Sequence, residues 1–485
     1  MQYDVLIVGA GIAGVGSAFH LKTQAPDKSF AVLDAQGAFG GTWRTHRYPG
    51  ARSDSDLHTF GYRFKPWRGA PIATAGEILT YMDEVIAEND LARHIQYRTR
   101  VESASWSSET NRWTVTVERL DTGERETMSA GFLWMCQGYY RHEAGYTPGW
   151  PGIDDFGGRV VHPQTWPDDL NLAGKRVIVI GSGATAATLI PAIAEQAEHV
   201  TMLQRSPTYF VPGRNRNELA EQLRELEIDP AWVHEIVRRQ LLRDGATRTR
   251  LALEQPALVR GEILGALNEI VGEEMVAKHF TPSYDPWRQR IAFVPDGDLF
   301  RAIKKGRASV VTDRIRRFVA NGIETEGGEL LEADVVVTAT GFELNVLGDI
   351  AFAIDGEPLD LSRSVTYRGM MFTGVPNLVW VFGYFRASWT LRVDLMGDFV
   401  PRLLAHMDAH GWTRVEPQLR VEDQGMALGP WVDEAEFNPG YLMRGVHRMP
   451  RAGTKREWRH TQDYWGEKDE FPQIALDGPE FAYGR

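Results

Sequence analysis

The sequence predicts an α/β protein of two parallel-sheet domains, the second interrupted by a helical insertion. Three observations lead there. Apolar runs ending in small residues occur at Val5–Gly14 (VLIVGAGIAG), Val177–Ala186 (VIVIGSGATA) and Val335–Gly341 (VVVTATG), and short runs of this kind suit parallel strands buried on both faces. The first two continue into helix-compatible sequence, GVGSAFHLK and ATLIPAIAEQ, so each reads as a βα unit. Between Asn217 and His279 the pattern changes. NELAEQLRELE, PAWVHEIVRRQLLRD and RGEILGALNEIVGEEMVAKHF set apolar residues three and four apart with charges between them, as amphipathic helices do.

Each βα turn carries glycines with a physical use. In the first, Gly9, Gly11 and Gly14 form G-x-G-x-x-G between strand and helix. The first glycine permits the tight turn, the second lets a pyrophosphate approach the backbone, and the third lets the helix pack on the strand. The helix N-terminus attracts the phosphate charge. Asp34 closes the strand FAVLD 20 residues after Gly14, where a carboxylate binds ribose hydroxyls. The second turn has Gly181 and Gly183 but Ala186 at the third position, and its next strand, VTMLQRSP, ends in Arg205 and Ser206. A carboxylate there repels a ribose phosphate, whereas a guanidinium and a hydroxyl bind one. The expectation is therefore two Rossmann-like domains, with FAD in the first and NADPH in the second. Electrons would pass from nicotinamide to flavin, and the residues leave oxygen, a small molecule or a protein open as the final acceptor.

Bulk properties narrow the alternatives. The chain has 485 residues, 43% of them hydrophobic, enough for two or three domains with substantial cores. A net charge of −12 argues against nucleic acid or an anionic membrane as partner. Cys136 is the single cysteine, which rules out an internal disulfide and a dithiol redox pair. No apolar run is long enough to span a bilayer, and YDVLIVG begins the chain without a leader, so a cytoplasmic protein is expected. The domain divisions expected are 1–145 and 341–485 for the FAD domain, 146–209 for the linker and start of the NADPH domain, 210–285 for the helical insertion, and 286–340 for the return. PNLVWVFGYF is the clearest strand after residue 363, and the segment from Arg414 is expected to wrap the surface of the first domain.

Between the two turns, Phe156, Gly158, His162, Trp166 and Pro167 fit F-x-G-x-x-x-H-x-x-x-W-P. This string resembles the fingerprint of type I Baeyer–Villiger monooxygenases, a branch of the class B flavoprotein monooxygenases. GGTWRTHRYPGARSDSD, SYDPWRQR, PDGDLFRA and ATGF extend the likeness over nearly the whole chain. Physically the joint is a stiff connection between domains that must shift relative to one another, with Gly158 free to adopt an unusual backbone angle. His162 has no metal-ligand set around it, no metal is expected, and its role is structural.

The resemblance implies an FAD- and NADPH-dependent monooxygenase in which reduced flavin and oxygen form a C4a-peroxide that attacks a ketone, giving an ester or lactone. It maps the active-site arginine onto Arg290 and an orienting carboxylate onto Asp54; a guanidinium keeps its charge and offers several donors in one plane. It further assigns Ala13, Gly41, Thr42, Trp43, Arg44, Thr45, Asp54 and Val101 to FAD. Arg52, Ser53, Asp54, Ser182, Ala184, Thr185, Ala186 and Ala187 fall to NADPH beside the residues above. Two departures stand out: Gln289 occupies the place of a family lysine that contacts the ribose phosphate, and Cys136-Gln137-Gly138 replaces an Ala-Thr-Gly type segment. The aromatic run VWVFGYFRASWT offers Phe382, Tyr384, Phe385 and Trp389 as pocket walls suited to hydrophobic ketones and thioethers. Expected partners are O2 and such a substrate, with no obligate protein. Competing readings are an N/S-oxygenating flavin monooxygenase without ketone activity, opposed by Trp166 and Arg290, a flavin reductase serving a partner, and a non-catalytic NADPH sensor.

Overall fold

The computed structural model describes all 485 residues, Met1–Arg485. Strand β1 (Gln2–Val8) lies between the parallel strands β2 (Phe30–Leu33) and β3 (Glu124–Met135). The four residues of β2 are buried, as a Val/Leu-rich strand covered on both faces must be. Strand β3 is long enough to serve two partners on one edge. Its first half pairs antiparallel with Arg112–Arg119, and its last residues pair in parallel with Leu378–Trp380. Helix α1 (Ile12–Gln24) leaves the turn after β1 and packs against the long helix Thr390–His410.

The second sheet is wholly parallel. Strands β4 (Arg159–Val161), β5 (Arg176–Ile180), β6 (His199–Gln204), β7 (Ala308–Thr312) and β8 (Val335–Thr338) run in the order β7-β6-β5-β8-β4. Helix α2 (Ala184–Ile193) follows β5 as α1 follows β1. The joint thus supplies β4, an edge strand of this sheet. Gly158 is glycine because a Cβ there would collide with the Asp334 carbonyl, and Phe156 fills a small core with Ile178, Ile180 and Phe318. Trp166 packs against the main core of the same unit.

Helices Glu218–Glu225, α3 (Pro230–Glu254), Pro256–Val271 and Glu273–His279 fill the amphipathic interval. Asn217 and Asp229 cap the first two by accepting backbone N–H groups, and Pro230 sits where a helix has no use for its own N–H. Helix α3 is fastened to the first sheet's unit by Arg238, which is buried. It donates to the carbonyls of His58 (2.9 Å), Thr59 (3.2 Å) and Gly61 (3.1 Å) and to the Asp394 carboxylate (3.3 Å). No helix is long and apolar enough to cross a membrane.

Two expectations are corrected. PNLVWVFGYF contains only a three-residue strand, Leu378–Trp380; the rest is a buried loop leading into the 21-residue helix Thr390–His410. That helix is hard to see in sequence because it is buried on most of its faces, charged Arg392 and Asp394 included, and holds Pro401. The segment after Arg414 does more than wrap a surface. Trp458, Phe471, Ile474 and Phe481 enter the core beside α1, and Glu467 reaches a fully buried site where it accepts from Arg392, the Tyr384 hydroxyl and Thr461 (2.6 Å).

Arg392 and Glu467 are 0% and 1% exposed, so removing one partner leaves the other charged and unpaired in the interior. The Glu467→Ala variant is expected to lose about 3–5 kcal/mol of stability, measured as a fall in the urea midpoint with the purified protein; a change below about 1 kcal/mol would contradict this account.

Candidate active site

Both glycine turns open into one cavity of about 1390 Å³, larger than the few hundred to 1,000 Å³ typical of a single-ligand pocket. The turns explain themselves by comparing their glycines. A Cβ on Gly9, at φ +103°, would lie 2.6 Å from the Cys136 carbonyl oxygen, and one on Gly14 would strike the Gly9 carbonyl. Gly181, at φ +123°, is likewise pressed against the Ala339 carbonyl. The middle glycines are different. A Cβ on Gly11 would meet nothing closer than 3.7 Å, and one on Gly183 nothing within 4 Å. Both line the cavity, so the missing side chains leave free backbone at two helix N-termini facing open space. That is the cradle a pyrophosphate needs, and it is present twice.

Asp34 lines the first half of the cavity and is 9% exposed. Its two oxygens accept the N–H groups of Ala10 (2.6 Å) and Gln36 (2.7 Å), while burial pushes its pKa up against them. Ala13, Gly41, Thr42, Trp43 and Val101 line the same half, and the Thr42 hydroxyl is 2.6 Å from that of Tyr140. Gly14, Arg44 and Thr45 do not line it. Gly14 is consumed by the contact with Gly9. Arg44 turns back to the Phe39 carbonyl (3.1 Å) and ring, and Thr45 bonds to Gly41 (3.0 Å) and Gln36 (3.0 Å). These three side chains thus face the protein and not the cavity.

In the second half, Gly181, Ser182, Gly183, Ala184 and Thr185 line the wall together with exposed Arg205 and Ser206 at the end of β6. Ala186 and Ala187 lie on the buried face of α2 and reach nothing in the cavity. Arg52 lines the cavity but is held by Asp298 in a forked pair (2.5 and 3.2 Å). Ser53 is buried, its hydroxyl accepting the Ala73 N–H at 3.3 Å, so it stands behind the wall and not in it.

Arg290 and Asp54 meet where the two halves join, with Nη1 3.4 Å from Oδ2. Two further residues, not evident from the sequence, complete this corner. Tyr139 follows β3, and Tyr441 lies in the short helix Gly440–Met443 of the C-terminal segment; both line the cavity. Burial works against the Arg290 charge, but Tyr441, Asp54 and Tyr139 outweigh it and the pKa rises. Burial drives the Tyr139 phenol well above its ordinary range, so it stays neutral. Gln289 lines the cavity and donates to Asn438 at 3.1 Å. Of the aromatic candidates, Tyr384 and Trp389 reach the cavity while Phe382 and Phe385 belong to the core.

None of the fingerprint residues Phe156, Gly158, His162, Trp166 and Pro167 lines the cavity. The His162 ring packs where any side chain on Gly145 would be, and its Nδ1 accepts the Gln164 N–H at 3.2 Å. Gln164 in turn donates to the Arg141 carbonyl, so the joint clasps the chain leaving the first sheet. A nearby histidine was missed altogether. His46 lines the cavity, its ring parallel to Tyr140 and Phe342, and burial, aided by His142 and His162, lowers its pKa to about 4.

Two glycine-turn sheets sharing a cavity with a guanidinium–carboxylate pair define a two-dinucleotide oxidoreductase. Residues 72–218 match the family described as flavin-binding monooxygenase-like, and residues 7–68 match the NAD(P)-binding Rossmann-like domain. The chain is 43% identical over 467 residues to the FAD-containing monooxygenase EthA of Mycolicibacterium smegmatis, covering 96% of this chain and 93% of that one. It is 41% identical over 484 residues to the probable FAD-binding monooxygenase AlmA of an Acinetobacter species, covering 98% and 95%. A solved steroid monooxygenase bound to NADP is 26% identical with a TM-score of 0.77, covering 100% and 99%. An epsilon-caprolactone-bound cyclohexanone monooxygenase, 24% identical over the whole of both chains, shares the fold with a TM-score of 0.77. The chain belongs to the FAD-containing monooxygenases.

A histidine whose folded pKa is depressed binds its proton more readily when unfolded. Stability is therefore full above about pH 6.5 and falls as the pH drops toward about 4. For His46 the loss is on the order of 3 kcal/mol across that window. The His46→Phe variant should show a flatter fall in denaturant midpoint between pH 7.5 and pH 4.5, and an unchanged slope would reject the assignment.

Proposed function

We propose that this chain inserts one oxygen atom into ketones, yielding esters or lactones, and also oxidises thioethers and thioamides at sulfur. FAD would be held by Gly9, Gly11, Ala13 and Asp34 with Gly41, Thr42, Trp43 and Val101. NADPH would be held by Gly181, Ser182, Gly183, Ala184 and Thr185, its ribose phosphate by Arg205 and Ser206. The observation that carries this reading is the Arg290–Asp54 pair (3.4 Å) at the junction of the two cradles. A reductase or a sensor has no use for a fixed cation there, and family membership removes both alternatives.

Bound FAD, once reduced by NADPH, supplies the activation of dioxygen. The protein's part is electrostatic. Arg290 stays charged at every working pH and can hold a negative oxygen with several donors at once. Asp54 fixes the plane of the guanidinium. Tyr139 and Trp389, stacked at 5.1 Å and 22°, give the corner an apolar wall that favours hydrophobic substrates. With an uncharged Gln289 before Arg290, recognition of the ribose phosphate rests on Arg205 and Ser206.

Arg290→Ala should leave flavin reduction by NADPH within about threefold while oxygenated product falls by about 100-fold or more and hydrogen peroxide takes its place. Ester formation at the original rate in this variant would end the proposed mechanism. Arg205→Ala should raise the KM for NADPH by about tenfold, the loss of one charge-assisted contact, and leave that for NADH nearly unchanged. Equal effects on both nucleotides would place the phosphate elsewhere.

A further inference from the structure

Tyr441 occupies an unusual position in the corner that holds Arg290. Its hydroxyl is buried and makes no hydrogen bond of ordinary geometry within the protein, although the Arg290 guanidinium and the Tyr139 phenol stand beside it. Leaving such a group unpaired is costly, so one that lies in the cavity wall beside Arg290 calls for a ligand to satisfy it. The placement is not incidental. The segment 433–444 is hooked to the loop before Arg290 by Asn438 N–H to the Arg288 carbonyl (2.9 Å), by Gln289 to the Asn438 side chain (3.1 Å), and by Arg386, which bridges the carbonyls of Trp287 (3.2 Å) and Glu436 (2.7 Å). Arg444 adds a bond to the Phe342 carbonyl at 2.9 Å. These clasps hold the Tyr441 ring 6.1 Å from that of Tyr139 and 6.3 Å from that of Phe342, on the wall that also carries Arg290 and Asp54.

The chemistry of the neighbours decides what the hydroxyl is for. A guanidinium has donors and no acceptor, so Arg290 cannot take the phenolic proton. Asp54 is engaged by Arg290 and by Ser55 (3.2 Å). The Tyr139 hydroxyl also stands beside it, yet no hydrogen bond of ordinary geometry forms, so the proton of Tyr441 is available to a ligand oxygen drawn to the Arg290 cation. We infer that Tyr441 donates a hydrogen bond to the carbonyl oxygen of the organic substrate, sharing that oxygen with Arg290, and so selects ketones over sulfur compounds. A ketone offers the acceptor oxygen that the phenol lacks, whereas a thioether sulfur is a weak acceptor and gains little. This inference rests on the proposed function and adds a residue that touches the substrate beside Arg290.

The experiment is Tyr441→Phe in the FAD-loaded protein, with 4-phenyl-2-butanone and methyl phenyl sulfide as probes. The variant keeps the ring and removes one unpaired oxygen, so folding and flavin content should match the parent. Flavin reduction by NADPH should be unchanged, kcat/KM for the ketone should fall on the order of tenfold, and that for the sulfide should stay within about twofold. Equal losses on both substrates, slowed flavin reduction, or no change on either would overturn the inference. If the parent enzyme itself forms no ester, the ketone reading fails separately. Tyr441 is then judged by ketone affinity in the NADP-bound oxidised protein, read from the flavin spectrum: equal dissociation constants in parent and variant would refute its role.

Discussion

Two backbone approaches too close for any side chain set the geometry of this molecule: Gly9 against the Cys136 carbonyl and Gly181 against that of Ala339. Each lets a βα turn lie over the end of the neighbouring strand, so the helix that follows starts at the rim of its sheet with its N-terminus aimed outward. The remainder of the site follows from having two such rims face each other. Asp34 and Arg205 mark the far ends of the two cradles, and the Arg290–Asp54 pair marks the place where they meet.

That facing arrangement is maintained by contacts no single domain contains. Tyr48, from the first unit, is buried in the core of the second, and Gly50 lies so close to α2 that a Cβ would be 2.7 Å from that of Ala192. Arg52 reaches Asp298 across the same interface. Arg238 ties the helical segment back to the first unit through three carbonyls and Asp394. The fingerprint belongs with these contacts. Its histidine fills the space beside Gly145, its glycine lies against the Asp334 carbonyl, and neither lines the cavity, so both serve packing at a junction.

The cradles were legible in the sequence because their logic is local. A tight turn, a close helix and a charged strand end each leave a residue type at a fixed spacing, and Gly9, Gly11, Asp34, Gly181, Gly183, Arg205 and Ser206 all stand in the cavity wall. Residues adjacent to those motifs do not all face the cavity. Arg44, Thr45, Ser53, Ala186 and Ala187 share the motif's stretch of chain, but successive residues of a short helix or turn point in different directions, and only some face the ligand space. His46, Tyr139 and Tyr441 left no sequence signal, since an aromatic outside a spaced motif looks alike whether it faces a cavity or a core.

The sequence by itself therefore determined the class of fold, the two binding turns and the difference in charge between their strand ends, because these depend on residues within one βα unit. Tertiary structure decided which segment completes the reactive corner. Tyr441 lies 151 residues after Arg290 in the chain and comes beside it only because the C-terminal segment clasps the loop before Arg290 and buries its own apolar residues next to α1. Long-range burial carries no local spacing rule, and so it becomes visible only once the chain is folded.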